Sequence, residues 1–223
     1  MHCRPNSTQM PHNWAVPTPA DDPVEQAVDR ALKPLRDDAV RDVEAILDAA
    51  LKVAELSAPA APRVADIVAE AGTSNQAFYR YFNGKDDLMQ AVMARGLRRV
   101  HDYLEHRMSK VDEPTKKIEL WIRGILTQAT HQTAARQGAA VAEIFAVTSG
   151  GIDSTSQEAT IALQDLLIAP LTTLGSSDPV RDAALIREAS MGTMRNHMNA
   201  HTSPSHEDSD HLVAFCLRGI ITH

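Results

Sequence analysis

Two short helix-like segments meet at the turn Ala71-Gly72-Thr73-Ser74, about a third of the way along the chain. Before the turn, apolar residues recur at the three- and four-residue steps of a helix: Val64, Ile67, Val68 and Ala71. Gly72 suits the left-handed conformation that ends many helices, and Ser74 suits the cap of a helix that begins at Asn75. A turn this tight forces the helices to cross steeply, as in a helix-turn-helix unit. Such units also occur in bundles that never touch DNA.

The chain on either side of this unit is also predicted to be helical. The preceding helix is expected to begin after Asp37, where acidic residues suit the positive end of a helix dipole. A long helix is expected from Lys85 to about Ser109. Further helices are expected over 114–136, 138–148, 155–174, 179–200 and 207–221. Aromatic residues make up 4% of the chain, and this low share favours helices over sheets.

The N-terminal segment is different, because five of the twelve prolines fall within residues 1–23. Proline lacks an N–H and restricts its neighbour, so residues 1–36 are predicted to form a flexible, extended tail. A solvated tail is favoured, with a DNA-touching arm as the alternative. The predicted organisation is all-α, with this tail, a helix-turn-helix domain over 37–84 and a larger helical domain over 85–223.

Composition limits the function classes. A net charge of −7 argues against a polycation that coats nucleic acid or membranes. The sequence has no apolar run long enough for a membrane span and no export signal at its N-terminus, so we expect a cytoplasmic protein with no membrane partner. Two distant cysteines, Cys3 and Cys216, exclude a disulfide framework or a four-cysteine zinc site within one chain.

No known catalytic motif occurs in the sequence. It has no nucleophile elbow, phosphate-binding loop or dinucleotide-binding glycine pattern, so neither catalysis nor a cofactor is expected. His197 and His201 are one helical turn apart, as zinc ligands can be. The glutamate of a metalloprotease motif is absent between them. We therefore expect surface histidines and no metal, with a metal-sensing site as the alternative.

Residues 63–92, RVADIVAEAGTSNQAFYRYFNGKDDLMQAV, closely resemble the DNA-binding head of the TetR (tetracycline-repressor-like) family of bacterial transcription regulators. The features that match in combination are Ile67 with Ala71-Gly72, the hydroxyl at Ser74, the aromatic pattern Phe78-Tyr79-x-x-Phe82, and Lys85 with Leu88. The resemblance extends upstream to about residue 38. It implies a three-helix DNA-binding head followed by a helical body that binds an effector and dimerises.

The third helix, 75–82, is the expected recognition helix. Asn75 and Gln76 lie at its N-terminus, the end that contacts bases in this motif, and both side chains can pair with an adenine edge. Solvation of the turn is the alternative role for the pair. The resemblance assigns a phosphate to the Tyr79 hydroxyl and a DNA-facing position to Tyr81, with a core role as the alternative. Further phosphate contacts are expected from Thr73, Ser74, Arg80 and Lys85.

Local charge agrees with this assignment. The segment 63–110 has eight Lys/Arg and six Asp/Glu, whereas the rest of the chain has 14 and 23. Three departures from the family pattern put contacts from the second helix in doubt. The loop 58–63 lacks the usual glycine and hydroxyl cap, Ala65 replaces a polar or basic residue, and Ala77 replaces a common threonine. Arg63 is a possible substitute.

The resemblance also implies a homodimer, built by helices 179–200 and 207–221, and a small-molecule effector in the body. Interface residues expected on one stripe are Leu212, Phe215 and Gly219, with ordinary core packing as the alternative. Expected pocket residues are Trp121, Ile125, Phe145, Met191 and Met194, again with core packing as the alternative. Sparse charge over 120–147 favours an apolar effector.

The sequence therefore predicts a homodimeric, sequence-specific repressor that binds a palindromic double-stranded DNA operator and leaves it when an effector binds. The alternative is a helical interaction or ligand-binding module whose DNA-binding head has degenerated.

Overall fold

The computed structural model describes residues 22–57, 60, 62–128, 154–200 and 202–221. Within these ranges every regular element is an α-helix, and the predicted all-α fold is confirmed. None of the helices described is both long and apolar enough to cross a membrane. In chain order the helices are α1 (Pro23–Ser57), α2 (Val64–Glu70), α3 (Asn75–Tyr81), α4 (Lys85–Met108), α5 (Pro114–Thr127), α6 (Ser154–Asp165), α7 (Ile168–Thr173), α8 (Pro179–Asn199) and α9 (His206–Ile221).

The chain divides into two units, residues 1–42 and 43–223, at a point inside α1. In the first unit α1 begins at Pro23, well before the start expected after Asp37, so residues 23–36 are helical rather than extended. Pro23 is tolerated because the first turn of a helix has no use for its missing N–H. Asp22 Oδ1 caps the helix by accepting the N–H of Val24 at 2.8 Å. The expected tail upstream of residue 22 lies outside the described residues.

This early part of α1 has an apolar face that the proline-rich composition obscured. Val24, Val28, Leu32 and Leu35 recur at three- and four-residue steps, and each is between 49% and 67% exposed. The spacing is the ordinary signal of an amphipathic helix. Residues 23–36 therefore form a helix where the proline content predicts an extended chain.

The second unit has two apolar cores. The head core joins α1, α2, α3 and the first turns of α4: Ile46, Leu47, Ala49, Ala50, Val53, Ala54, Ile67, Val68, Phe78, Phe82, Leu88, Met89 and Val92. The body core joins the C-terminal half of α4 to α5 and the later helices, with Leu104, Trp121, Ile122, Leu163, Leu171 and Ile186 among its buried members. The helix α4 thus belongs to both cores.

The single helix predicted over 155–174 is wrong, because the chain breaks between α6 and α7. Pro170 explains the break: it offers no N–H to the carbonyl of Leu166, and its ring clashes with a continued helix there. The predicted helices 179–200 and 207–221 are confirmed to within a residue at each end. Past residue 128, the helix predicted to end at 136 lies outside the described residues, as does the one predicted over 138–148.

The turn between α2 and α3 has the predicted chemistry. Gly72 has a φ of 64°, the left-handed conformation that ordinary residues rarely adopt. The N–H of Gly72 bonds the Ala69 carbonyl at 3.2 Å, and that of Thr73 bonds the Val68 carbonyl at 3.1 Å. This pair of bonds is a Schellman ending, which satisfies the last carbonyls of α2 and reverses the chain toward α3.

Two glycine substitutions should therefore have opposite effects on stability. An added Cβ at Gly72 or at Gly96 meets no atom within 4 Å, so neither replacement creates a clash. Gly72→Ala should lower the free energy of unfolding by about 1–2 kcal/mol, because alanine is strained in the left-handed conformation. Gly96→Ala, inside α4, should raise it by roughly 0.5–1 kcal/mol. Urea titration followed by circular dichroism measures both, and equal changes would contradict this account of the turn.

Candidate nucleic-acid interface

The start of α3 is fixed by Ser74. Its backbone is extended, with φ −112° and ψ 156°, and its Oγ accepts the N–H of Ala77 at 3.1 Å. This is an N-cap hydrogen bond, as predicted, and it leaves the hydroxyl proton of Ser74 available as a donor. Asn75 and Gln76 follow in the first turn, and both side chains are exposed. The two predicted base-reading residues are therefore exposed at the capped end of α3.

The opposite face of α3 is anchored in the head core. Phe78 is fully buried, Phe82 is 6% exposed, and their ring centroids are 5.6 Å apart. Tyr79 is 60% exposed, and its ring meets the Phe78 ring edge to face at 5.1 Å. Two buried rings thus hold a helix of seven residues, and the Tyr79 hydroxyl is carried on the exposed side.

The two predicted DNA contacts at the end of α3 have different surroundings. Arg80 is exposed, whereas Tyr81 is half-buried and packs against the head core. The Arg80 guanidinium lies 4.9 Å from the centroid of the Tyr81 ring, within cation–π range. Tyr81 therefore has the core contacts that the sequence left as an alternative, and its contact with DNA remains a prediction.

The connection from α3 to α4 is held by an acid. Asp87, in the first turn of α4, accepts the backbone N–H of Asn83 at 2.8 Å and its side-chain Nδ2 at 3.0 Å. Lys85 opens α4 and is half-buried, next to Gly84, which offers no side-chain cap. Free N–H groups and a cation at one helix start are the elements of a phosphate contact.

The second helix offers few polar groups to DNA at its start. Its N-cap, Arg63, makes no side-chain capping hydrogen bond, and Ala65 is exposed without a polar group. Lys52 of α1 bonds Glu70 at 2.6 Å and so ties α2 to the first helix. These contacts agree with the doubt that the sequence raised about α2, and the exposed Arg63 is the one cation at its start.

The predicted pocket residues lie in or against the body core. Trp121 is fully buried, and its Nε1 donates to the Leu163 carbonyl at 2.9 Å, so the indole has its polar atom satisfied within the core. Ile125 is 2% exposed, and the half-buried Met191 and Met194 pack against the same cluster. Phe145 lies outside the described residues. A role in effector binding remains a prediction for all five.

A cleft of about 210 Å³ lies between α5 and the start of α9, beside Arg123 and His206. Arg123 bonds Asp210 across the two helices and also bonds Glu119. The hydrogen bond to Asp210 is the largest cause of the raised pKa of Arg123, and the bond to Glu119 adds to it. The bond from Arg123 also lowers the pKa of Asp210. The guanidinium is thus already neutralised by two acids. The cleft is smaller than the roughly 300–1,000 Å³ of ligand pockets.

The predicted dimer residues differ in exposure. Leu212 is half-buried against the body core, so part of its surface is ordinary core. Phe215 is 63% exposed and Gly219 is also exposed. Leu185 of α8 is likewise 63% exposed. Cys216 is buried beside them on α9, and burial raises the pKa of its thiol to about 11.

The C-terminal histidines show no metal geometry in the part of the chain that is described. His197 Nδ1 lies 2.9 Å from Thr202 Oγ1, and its expected zinc partner His201 lies outside that part.

The comparisons with known proteins identify the head. Residues 46–92 match the sequence model of the bacterial regulatory proteins of the tetR family. This match spans α2, α3 and the turn between them, together with the adjoining parts of α1 and α4. None of the curated proteins matches the chain.

Solved structures share the fold of about four fifths of this chain. The fatty acid degradation regulator FadR from Bacillus halodurans has a TM-score of 0.60 at 16% identity, over 80% of this chain and 97% of its own. FadR from Bacillus subtilis, in complex with stearoyl-CoA, has 0.58 at 19% identity, over 80% and 97%. NemR from E. coli, in its reduced form, has 0.62 at 15% identity, over 81% and 98%.

The family match over residues 46–92, together with the shared fold, supports a DNA-binding transcription regulator. The resemblance of the head to the TetR family is confirmed by the match over residues 46–92, and about 80% of the chain shares the fold of solved transcription regulators.

Proposed function

We propose that the protein is a homodimeric repressor that binds an inverted-repeat operator with α3 in the major groove and leaves it when a small-molecule effector binds the body. The observation that carries the proposal is the division of α3 into two faces. Phe78 and Phe82 are buried in the head core, while Asn75, Gln76 and Tyr79 are exposed. A major groove admits a helix presented in this way.

In this proposal the exposed residues have two roles, which are base reading and phosphate binding. Asn75 and Gln76 read bases, because an amide side chain can donate to and accept from an adenine edge at once. Tyr79, Lys85 and the Ser74 hydroxyl bind phosphates and so set the position of the head without selecting sequence. Thr73 and Arg80 add phosphate contacts at the two ends of α3.

Dimerisation by α8 and α9 is supported by their exposed apolar residues. Phe215 and Leu185 expose more than half of their surface, and Gly219 allows a close approach of a second helix. Two heads related by a two-fold axis would then reach successive major grooves about 34–36 Å apart.

The effector is proposed to be an apolar or partly apolar small molecule. The stearoyl-CoA held by the Bacillus subtilis FadR structure supports this class, as do the apolar body and the half-buried Met191 and Met194. An effector that binds the released form better than the DNA-bound form lowers DNA affinity by that difference. With this sign of coupling, a bound effector releases the proposed repressor from its operator.

The second candidate function is a ligand-binding or interaction module with a degenerate head. Its support is the start of α2, where Arg63 replaces a hydroxyl cap and Ala65 replaces a polar residue. Such a protein would show no preference for any duplex over competitor DNA, whereas the repressor retains its preferred duplex.

Loss of a phosphate contact should weaken binding to every duplex alike. Tyr79→Phe and Lys85→Ala should each reduce affinity by the same factor on the preferred duplex and on random DNA, about 1 kcal/mol for the tyrosine hydroxyl. Lys85→Ala should also lower the slope of log K against log salt by about 1, since one cation is lost. Fluorescence anisotropy over a salt series measures both. Lys110→Ala, which removes an exposed cation beyond α4, is the matched control and should change neither.

Loss of a base contact should instead change sequence preference. Gln76→Ala should narrow the free-energy gap between the preferred duplex and random DNA by about 1–3 kcal/mol. Competition binding gives this gap directly. Gln157→Ala, an exposed glutamine on α6, is the control. If the free-energy difference between the preferred and random duplexes is unchanged in Gln76→Ala, Gln76 does not read bases.

A charge at the proposed dimer face should separate the protomers. Phe215→Glu should raise the dimer dissociation constant by at least roughly ten-fold, because desolvating a carboxylate in an interface is costly. The side chain is exposed in the protomer, so folding should be unaffected. Sedimentation equilibrium measures the change. Ile161→Glu, at an exposed isoleucine of α6, is the control, and an equal effect of both would argue against an α8–α9 interface.

A further inference from the structure

The helix α4 carries residues of both cores, and a short stretch of it lies between them. Leu88, Met89 and Val92 are buried in the head core, and Leu104 and Met108 in the body core. Between these groups lies Arg95, whose side chain is 7% exposed. Among the described residues, Arg95 is the charged residue whose side chain is buried.

Arg95 of α4 forms ion pairs with two carboxylates of α1. Its Nη1 donates to Glu44 Oε2 at 2.7 Å, and its Nη2 lies 2.9 Å from Asp48 Oδ1, at ion-pair distance. Glu44 and Asp48 are one helical turn apart, so one planar guanidinium spans both. Each acid is at least half exposed, with side-chain exposures of 51% and 66%. The clamp thus has a buried cation on α4 and two hydrated anions on α1.

The body holds the same stretch of α4 from another helix. Ser156 of α6 is fully buried, and its Oγ lies 3.3 Å from both the carbonyl and the side-chain oxygen of Gln90. Residues 90–95 of α4 are therefore bound by α1 of the head through Arg95 and by α6 of the body through Ser156. Any change in the angle between head and body must alter this joint.

We infer that Arg95 is a positioning residue that fixes the angle of the head on α4 and thereby sets the operator half-site spacing that the dimer accepts. The inference rests on the proposed function. The head core holds α4 through Leu88, Met89 and Val92, and Arg95 extends that contact by about one turn toward the body. The charge-assisted hydrogen bond from Nη1 to Glu44 is directional, and the ion pair of Nη2 with Asp48 acts with it against a tilt of the head. In a dimer, a tilt of each head changes the distance between the two recognition helices.

The test compares duplexes that differ in the placement of one half-site relative to the other. The preferred inverted repeat is lengthened or shortened by one base pair, which moves one half-site by about 3.4 Å along the axis and turns it by about 34–36°. A single half-site is also measured. The variants are Arg95→Met, which keeps length and loses charge, and Arg95→Lys, which keeps charge and loses the fork. Arg98→Met, at an exposed arginine on the same helix, is the matched control.

The expected result is a loss of spacing discrimination without a loss of half-site binding. In Arg95→Met, the affinity ratio between the preferred and the altered spacings should fall by about 2- to 30-fold, the usual range for residues that transmit coupling. Arg95→Lys should lie between this variant and the unaltered protein, and Arg98→Met should match the unaltered protein. Single half-site affinity should stay the same in all of them.

Two results would overturn the inference. One is spacing discrimination that is unchanged in folded Arg95→Met. The other is an equal loss on the full repeat and the half-site, which marks a merely structural role. If Arg95→Met does not fold, Glu44→Gln carries the same test, because this half-exposed side chain tolerates neutralisation. Failure of the proposed function is distinct, since the unaltered protein would then prefer no duplex.

Discussion

The proposed DNA contacts depend on two phenylalanines that hold a helix too short to be stable by itself. Isolated helices shorter than about 12 residues are marginal in water, so the seven residues of α3 need tertiary packing. Phe78 and Phe82 supply it by entering the head core, and the Ser74 cap and the Gly72 turn fix where the helix begins. Because the buried face is fixed, the exposed face with Asn75, Gln76 and Tyr79 is fixed as well.

The helix α4 belongs to both the head core and the body core. Between the two cores, its contact with α1 is made by the ion pairs of Arg95. Burying a cation is costly unless anions accompany it, and Arg95 has two on α1. The body has its own bridge, in which Arg123 bonds Asp210 and so ties α5 to α9. The polar contacts of Arg95 and Arg123 thus join pairs of helices, while the apolar clusters supply most of the stabilisation of the folded state.

The local chemistry of the head could be predicted from sequence, because its determinants are close in the chain. Gly72, Ser74 and the spacing of Phe78 and Phe82 each act within a turn or two. The early start of α1 is not predicted, because the prolines before it indicate an extended chain more strongly than the helical spacing of Val24 and Val28 indicates a helix. The break before α7 could have been predicted from Pro170. The burial of Arg95 could not, since its partners lie 47 or more residues away and arginines are usually solvated.

The central claim is that a two-fold dimer reads DNA with α3. Selection of binding sites from a random duplex library at physiological salt tests it most directly, using protein shown to be folded and free of co-purified ligand. The account predicts enrichment of an inverted repeat whose half-site centres are about 10–10.5 base pairs apart, or a multiple of that distance. Recovery of no enriched sequence would contradict it and would favour a protein whose head no longer recognises DNA.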